Sequence, residues 1–415
     1  MSPDPHTRGA AATRRQFLFG GAVVGVGAVG AAAAIGVDAA LGRTSPAADA
    51  SAPSAPLNGA EKVPFHGVHQ AGIDTDAQAH ATFVGLDLLD GVDRDALRRM
   101  MRILTDDARR LTQGVGALAD SEPELAIDPA RLTVTFGFGP GLVTRAGGTA
   151  PSWLHPLPLF AIDQLQPEFT DGDLLIQVAS DDPLTLAHAT RMLLKDARSF
   201  ATPRWVQQGF RRAHGTVAPG TTMRNLFGQV DGTTNPQPGT TDFDRTVWSD
   251  DGWLAGGTSA VIRRIRMDLD KWDRLDRSGR EQSVGRTLDT GAPLTGKLEH
   301  DEPDFEATTS IGFPVIPRFS HMARARGENP GASASPTIFR RAYNYDEAPS
   351  AGAVSDSGLV FVSYQADVAT QFTPMQQRLS DLDLLNEWTT PIGSAVFAIP
   401  PGCSADGYIG ETLLG

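Results

Sequence analysis

Three side chains in the second half of the sequence have the types needed for proton transfer, charge stabilisation and metal binding. They are Asp231, His321 and Arg340. A carboxylate beside a bound reactant can move a proton between two of its atoms, and a guanidinium can stabilise the negative charge that develops there. A neutral histidine ring can hold iron. Together these residues predict a site where an iron-bearing group lies beside an acid–base residue.

The residues around Asp231 predict a tight loop that projects one acid into a cleft. Asp231 lies between Gly228 and Gly232, and Asn235-Pro236 follow. Glycine permits backbone conformations that other residues avoid, and it lets a flat ligand lie close to the main chain. We therefore expect Gly232 to contact a bound cofactor. The string alone is weak evidence, because glycine-flanked aspartates are common in ordinary turns.

An apolar strand completes the set, because the run 358–365 is rich in β-branched and aromatic residues and is bounded by turn formers. With Phe361 in this strand, the sequence resembles the dye-decolourising (DyP-type) haem peroxidases over roughly residues 60–415. The matching segments are 63–73, 228–232, 261–267, 320–321, 340–345, 361–365 and 391–395. Collinear motifs spread this widely are far more specific than any one of them.

The resemblance implies a role for each of the three side chains. His321 would be the proximal iron ligand of haem b, Asp231 the distal acid–base residue and Arg340 the distal arginine. Phe361 would form part of the wall of a small distal pocket. Arg341 remains an alternative to Arg340, because adjacent side chains of an extended segment face opposite ways and only one can point at the haem.

A further carboxylate is needed to orient His321 through its other ring nitrogen. Asp383 is the preferred candidate, and Asp381 and Glu387 are alternatives in the same acidic segment. Solvated helix charges are the competing interpretation for all three.

Two further groups of side chains have open interpretations. Three arginines of one predicted strand could reach the haem propionates or form a solvated strand face: Arg263, Arg264 and Arg266. Four aromatic residues could carry oxidising equivalents to the surface for substrates too bulky for the pocket, or could be core residues: Tyr343, Tyr345, Tyr364 and Trp388.

The implied activity is the reduction of hydrogen peroxide with oxidation of dyes, phenols or other one-electron donors through an oxyferryl intermediate. An aspartate acting as the base predicts activity that declines as the pH rises. One alternative is an exported haem- and iron-handling protein that releases iron from haem, as a deferrochelatase does. The other is an exported ferredoxin-like binding module without redox chemistry, which would not bind haem.

Composition narrows the class of protein. The 415 residues are 40% hydrophobic, which is enough for a substantial core and two subdomains. A formal net charge of −13 argues against nucleic acid or an anionic membrane as a partner. Cys403 is the single cysteine, so no intramolecular disulfide can form, and the sequence has no Cys-x-x-Cys-His motif for covalent haem attachment.

The N-terminal segment predicts export rather than a folded element. The stretch 13–18, with Arg14 and Arg15, precedes an apolar run rich in glycine and alanine and resembles a twin-arginine (Tat) signal. A transmembrane anchor is the alternative, because the run is almost long enough to span a bilayer. We expect cleavage near Ala50, a signal peptide over 1–50, a linker over 51–60 and no stable membrane span afterwards. The Tat export machinery would deliver the protein outside the cell, into a periplasm or to the cell wall.

Apolar periodicity predicts an α+β fold of two ferredoxin-like modules packed sheet to sheet, in a dimeric α/β barrel-like arrangement. The modules are expected over 61–215 and 216–415, and the resemblance places haem in the second. Predicted strands cover 81–88, 132–139, 173–179, 260–267, 359–365 and 395–399, and predicted helices cover 93–113, 183–198 and 372–379. Asp93 is a plausible N-cap and Gly114 a plausible stop for the first helix. The polar stretch 279–304 is expected to be a surface excursion.

Overall fold

The computed structural model describes residues 57–327, 337–349 and 352–415. The expected signal peptide therefore lies outside the described residues, as does most of the expected linker. The last four linker residues are described, and Asn58–Ala60 form a short 3-10 turn. In the described part of the chain no helix is long and apolar enough to cross a bilayer.

The first half of the described chain contains four strands and three helices. In chain order these are β1 (His80–Leu88), α1 (Arg94–Thr112), β2 (Thr133–Phe138), α2 (Pro140–Arg145), β3 (Leu174–Ser180), α3 (Pro183–Ala197) and β4 (Ala201–Phe210).

The second half contains five strands and six short helices among the described residues. In chain order these are α4 (Thr241–Val247), β5 (Thr258–Met267), α5 (Leu269–Trp272), α6 (Arg277–Val284), α7 (His321–Arg326), β6 (Phe339–Arg340), β7 (Tyr343–Glu347), β8 (Asp356–Gln365), α8 (Thr373–Leu382), β9 (Thr389–Ile399) and α9 (Glu411–Leu414). A π-helical turn, Val368–Phe372, leads into α8.

Local sequence explains the first long helix. The Asp93 side chain accepts a hydrogen bond from the Ala96 backbone N–H at 2.8 Å, which caps the start of α1. Leu97, Met100 and Leu104 recur at helical spacing and are fully buried. Beyond the helix Gly114 has φ +73, a conformation that favours glycine. The predicted cap and stop of this helix are confirmed.

The two halves each form a four-stranded antiparallel sheet with ferredoxin-like order. The first sheet runs β4-β1-β3-β2, and the second runs β9-β5-β8-β7 with β6 also paired to β8. One residue pair joins the sheets at each junction, Phe138 with Ala398 and Phe210 with Asn344. The combined sheet therefore closes into a barrel-like ring, which confirms the predicted fold class.

Two strands of this ring were not among the predicted elements. The sequence of β4 is largely polar, and it includes Pro203 and Arg204 at exposed positions. In β7 the first three residues, Tyr343 to Tyr345, are buried and the last two are exposed. Both strands lie at the β4–β7 junction, and their weak local signals are compensated by antiparallel pairing within their own halves, β4 with β1 and β7 with β8.

Candidate active site

A cavity of about 740 Å³ opens in the second half of the chain. This volume lies within the roughly 300–1,000 Å³ typical of cofactor and ligand sites. Much of its lining is apolar and comes from β5, β8 and α8, including Ile265, Leu359, Phe361 and Met375. The charged residues that line it are Asp231, Arg286, Glu302, His321, Arg326, Arg340 and Asp383. The three side chains singled out from sequence therefore share one cavity.

Asp231 is fixed by the glycine-containing loop that precedes and follows it. Arg224 and Val230 form a β-bridge, and the Asp231 backbone N–H donates to the Met223 carbonyl at 2.8 Å. The φ angles of Gly228 and Gly232 are +79 and +126, so glycine is required at both turns. This backbone directs the Asp231 carboxylate into the cavity, where Gly232 also lines the wall.

Arg340 faces Asp231 across the cavity wall. Its Nη1 donates to Asp231 Oδ1 at 2.7 Å. Asn235 fixes the Arg340 backbone with two hydrogen bonds: Oδ1 accepts from the Arg340 N–H at 3.0 Å, and Nδ2 donates to the Arg340 carbonyl at 2.7 Å. Asn235 follows the glycine-containing loop in the sequence, but its residue type and position alone do not predict this role.

Arg341 points away from the cavity and into the barrel. Its side chain is buried and donates to the backbone carbonyls of Ile73, Thr75 and Asp76 and to Gln78 Oε1. Arg341 thus ties the N-terminal segment to the second module, and Arg340 is the member of the pair that lines the cavity.

His321 is the first residue of α7 and contacts Asp383. The two side chains meet through Nδ1 and Oδ2 at 2.6 Å, and the Asp383 side chain is buried. Burial alone would lower the pKa of His321, but the charge of Asp383 and the hydrogen bond to it together raise that pKa. With Nδ1 engaged, Nε2 is the nitrogen left for a metal.

The other two acidic candidates have different partners. Asp381 accepts a hydrogen bond from Gln377 at 2.7 Å, and Glu387 pairs with Lys271 at 2.9 Å. Asp383 is therefore the acid that reaches His321, and the solvated-charge interpretation fits only its two neighbours.

Two of the three arginines of β5 meet neither expectation raised from sequence, whereas Arg266 is exposed, as the solvated-face alternative expects. Arg263 is buried in an ion pair with Asp163, and Arg264 is buried against Gln207 and Glu347. These residues stabilise contacts with the first module and the sheet edge rather than forming a solvated face. Arg286 lines the cavity instead, although the stretch 279–304 was expected to be a surface excursion. The helix α6 and the buried side chain of Arg286 correct that expectation.

The candidate aromatic relay residues divide into two groups. Tyr343, Tyr345 and Tyr364 are buried in the barrel interior, where the Tyr364 hydroxyl donates to Gln177 Oε1 at 2.6 Å. Trp388 lies beside the cavity in a separate cluster. Its ring lies 5.2 Å from that of Trp272, which in turn lies 4.3 Å from the cavity-lining ring of Phe227.

The cavity suits haem in both shape and chemistry. Haem is flat and largely apolar, and the walls offer Phe361, Leu359 and Ile265 together with the glycine loop around Gly232. A histidine oriented by a buried carboxylate is a usual iron ligand. The residues present therefore fit the group that the resemblance implies.

Comparisons with known proteins agree with this geometry. Sequence profiles described as "Dyp-type peroxidase, N-terminal" and "Dyp-type peroxidase, C-terminal" match residues 70–211 and 222–404. A dye-decolorizing peroxidase of Thermobifida fusca (strain YX) is 36% identical over 431 residues, covering 99% of this chain and 99% of that protein. A deferrochelatase of Escherichia coli (strain K12) is 34% identical over 375 residues, covering 85% of this chain and 88% of that protein.

A solved structure shows the same similarity in three dimensions. The crystal structure of a DyP-type peroxidase from Cellulomonas bogoriensis has a TM-score of 0.83 and 55% sequence identity to this chain. The match covers 86% of this chain and 99% of that one. The chain therefore belongs to the DyP-type peroxidase family, whose members are haem-dependent peroxidases.

Proposed function

We propose that this enzyme reduces hydrogen peroxide in the 740 Å³ cavity and oxidises dyes, phenols or similar one-electron donors. The supporting observation is that the Asp231–Arg340 pair and the His321–Asp383 pair line the same cavity. One pair can handle protons and charge on a bound peroxide, and the other can hold iron. When bound, haem supplies the redox chemistry of peroxide reduction.

Asp231 acts as the proton carrier in this proposal. Its Oδ1 accepts from Arg340, whereas its Oδ2 has, among the described residues, only a long 3.4 Å contact from Asn225. Oδ2 is therefore the oxygen able to accept the proton of a peroxide and return it to the departing oxygen. The Arg340 guanidinium stabilises the negative charge that develops on that oxygen.

His321 would hold the iron through Nε2, with Asp383 accepting the hydrogen bond from Nδ1. This bond fixes the ring orientation and makes the ligand nitrogen more electron-rich. Gly232 and Phe361 would pack against the cofactor from the walls they line.

Peroxide kinetics of an Asp231→Asn variant test the proton-transfer role. At full haem occupancy we expect kcat/KM for hydrogen peroxide to fall by about 10²–10⁴-fold, the range for losing a general acid–base. A variant with unchanged kcat/KM would remove Asp231 from the mechanism.

Release of iron from haem is the second candidate activity. The 34% identity to a deferrochelatase supports it, and the proposed ligand set would serve either reaction. Incubation with haem followed by an assay for metal-free protoporphyrin separates the two. Accumulation of metal-free porphyrin without peroxide turnover would favour iron release, and peroxide turnover with the haem intact would favour the peroxidase.

We further infer that the protein leaves the cytoplasm through the Tat machinery, on the strength of the motif at 13–18. Replacing Arg14 and Arg15 with lysine should retain haem-loaded protein inside the producing cell. Unchanged export of that double variant would contradict the inference.

A further inference from the structure

Arg286 is a buried cation at the cavity without a carboxylate partner. Only 7% of the residue is exposed, yet it lines the cavity. The other charged residues of the lining are paired with one another: Asp231 with Arg340, Asp383 with His321 and Glu302 with Arg326. No carboxylate of the described residues lies within ion-pair distance of Arg286.

The backbone holds one side of the Arg286 guanidinium. Its Nη1 donates to the carbonyls of Gly291 and Glu299 at 2.6 and 2.8 Å. For Nε and Nη2, no hydrogen-bond acceptor is found in the described part of the chain. A buried guanidinium held in this way has two nitrogens left for a ligand.

Arg286 lies between the two walls that a flat ligand would separate. On the His321 side, a Cβ atom at the preceding Gly285 would lie 3.1 Å from Ser320 Oγ, so the segment packs closely against the start of α7. On the Asp231 side, the Glu299 carboxylate accepts from Thr233 Oγ1 at 2.9 Å. Arg286 therefore lies where these two sides of the cavity meet, a border that is called the rim below.

The local charge balance favours an anion at this rim. Burial lowers the pKa of the Arg286 guanidinium, the carboxylate of Glu299 opposes that change, and the charges of Arg340 and Arg326 lower the pKa further. An added carboxylate would relieve both the burial cost and the repulsion between these cations.

We propose that Arg286 binds a propionate carboxylate of haem through Nε and Nη2. The inference rests on the proposed function, because it needs haem in this cavity. A planar guanidinium matches a carboxylate with two parallel hydrogen bonds, which a neutral or methylated acid group cannot accept with equal strength. Arg286 would thereby set the orientation of the cofactor in its plane as well as its retention.

Cofactor transfer from the loaded full-length protein to excess apomyoglobin tests this assignment. The unmodified protein, Arg286→Met, Arg286→Lys and the exposed-site control Arg274→Met are each loaded with haem or with its dimethyl ester. We expect Arg286→Met to release haem roughly tenfold or more faster than the unmodified protein, as for loss of a charged hydrogen bond. The ester should leave both proteins at similar rates, Arg286→Lys should be intermediate, and Arg274→Met should behave as the unmodified protein.

Equal acceleration of haem and ester release in Arg286→Met would overturn the inference, because Arg286 would then act on the fold. If Arg286→Met does not fold, Arg286→Lys and the unmodified protein still give the comparison. An ester released no faster than haem from the unmodified protein would contradict carboxylate binding. A full-length protein that takes up no haem would contradict the proposed function itself, whereas haem uptake without any ester-dependent effect contradicts only this inference.

Discussion

Asp231 and Arg340 stand 109 positions apart in the chain, yet the Arg340 guanidinium donates to the Asp231 carboxylate at 2.7 Å. The contact places the Asp231 carboxyl group and the permanently charged guanidinium of Arg340 side by side on one wall of the cavity, where a hydrogen bond joins them. Asn235 completes the arrangement, because it bonds both the N–H and the carbonyl of Arg340. This wall of the cavity is thus held by three residues from two separate segments.

Asn235 is predicted to be a positioning residue for Arg340. In Asn235→Ala, β6 loses its two side-chain anchors, so the guanidinium should lie off its productive geometry for part of the time. We expect kcat for peroxide to fall by roughly tenfold or more, with haem content unchanged, since small misplacements at a reacting centre are costly. Steady-state kinetics at matched haem occupancy measure this. Rescue by Asn235→Asp, which keeps the acceptor for the Arg340 N–H, should be partial, and an Asn235→Ala variant with full activity would contradict the role.

Asp383 is predicted to control the strength of the histidine ligand. Asp383→Asn keeps a similar shape but removes the charge beside His321 Nδ1. We expect affinity for haem to fall by about 10–100-fold, as for other outer-sphere partners of metal ligands, and the reduction potential of the bound iron to become more positive. Spectroelectrochemical titration measures the potential. Asp381→Asn is the matched control, and equal potentials in the two variants would exclude a special role for Asp383.

Trp388 is predicted to serve substrates too large for the cavity. It is the last of the ring series Phe227, Trp272 and Trp388, which starts at the cavity wall, and only 9% of Trp388 is exposed. Trp388→Phe should lower turnover of a bulky anthraquinone dye and leave turnover of a small phenol unchanged. Trp253→Phe is the control, because Trp253 is partly exposed, packs against Phe138 of the first module and does not line the cavity. Equal dye turnover in the two variants would exclude Trp388 as the exit point.

A buried acid in the first module is predicted to make stability depend on pH. Asp107 is buried on α1 next to Asp196, and burial followed by the hydrogen bond and charge of Asp196 raises the pKa of Asp107 to about 7. The raised pKa lies above the ordinary aspartate value of 3.8, so the folded protein holds this proton more tightly than the unfolded chain. Stability from this group is therefore complete below about pH 4 and is lost as the pH rises towards 7.

Asp107→Asn tests that dependence, because the amide cannot titrate. We expect the variant to gain thermal stability relative to the unmodified protein as the pH is raised from 5 to 8, with up to about 1.4 kcal/mol per pH unit between the two pKa values. Melting curves at several pH values measure it, with the exposed Asp95→Asn as control. A stability difference that does not change with pH would show that Asp107 does not titrate in this range.

The strands and helices could be predicted from the sequence where apolar runs were long, and they were missed where local signals were weak. Strands β5 and β8 and helix α1 were predictable because burial on both faces, or on one helical face, leaves a continuous or periodic pattern. The residues that close the ring were not predictable, since single residue pairs such as Phe210 with Asn344 join the sheets.

The residue types of the site were predictable from the sequence, and the resemblance favoured Arg340, but the sequence left Arg341 open as an alternative. Arg340 and Arg341 differ only in the direction in which the extended chain points their side chains. Asn235 holds the backbone of Arg340, and the backbone carbonyls near Ile73 accept hydrogen bonds from the side chain of Arg341. Arg286 was missed because the stretch around it lacks apolar periodicity, so nothing local marks it as buried.

Rapid mixing of the haem-loaded protein with one equivalent of hydrogen peroxide tests the central claim most directly. The account predicts a fast change in the Soret band in the unmodified protein, slowed by at least about 10²-fold in Asp231→Ala and in Arg340→Leu. A Soret band that does not respond to peroxide would contradict peroxide reduction by these residues. So would a response in both variants that is as fast as in the unmodified protein.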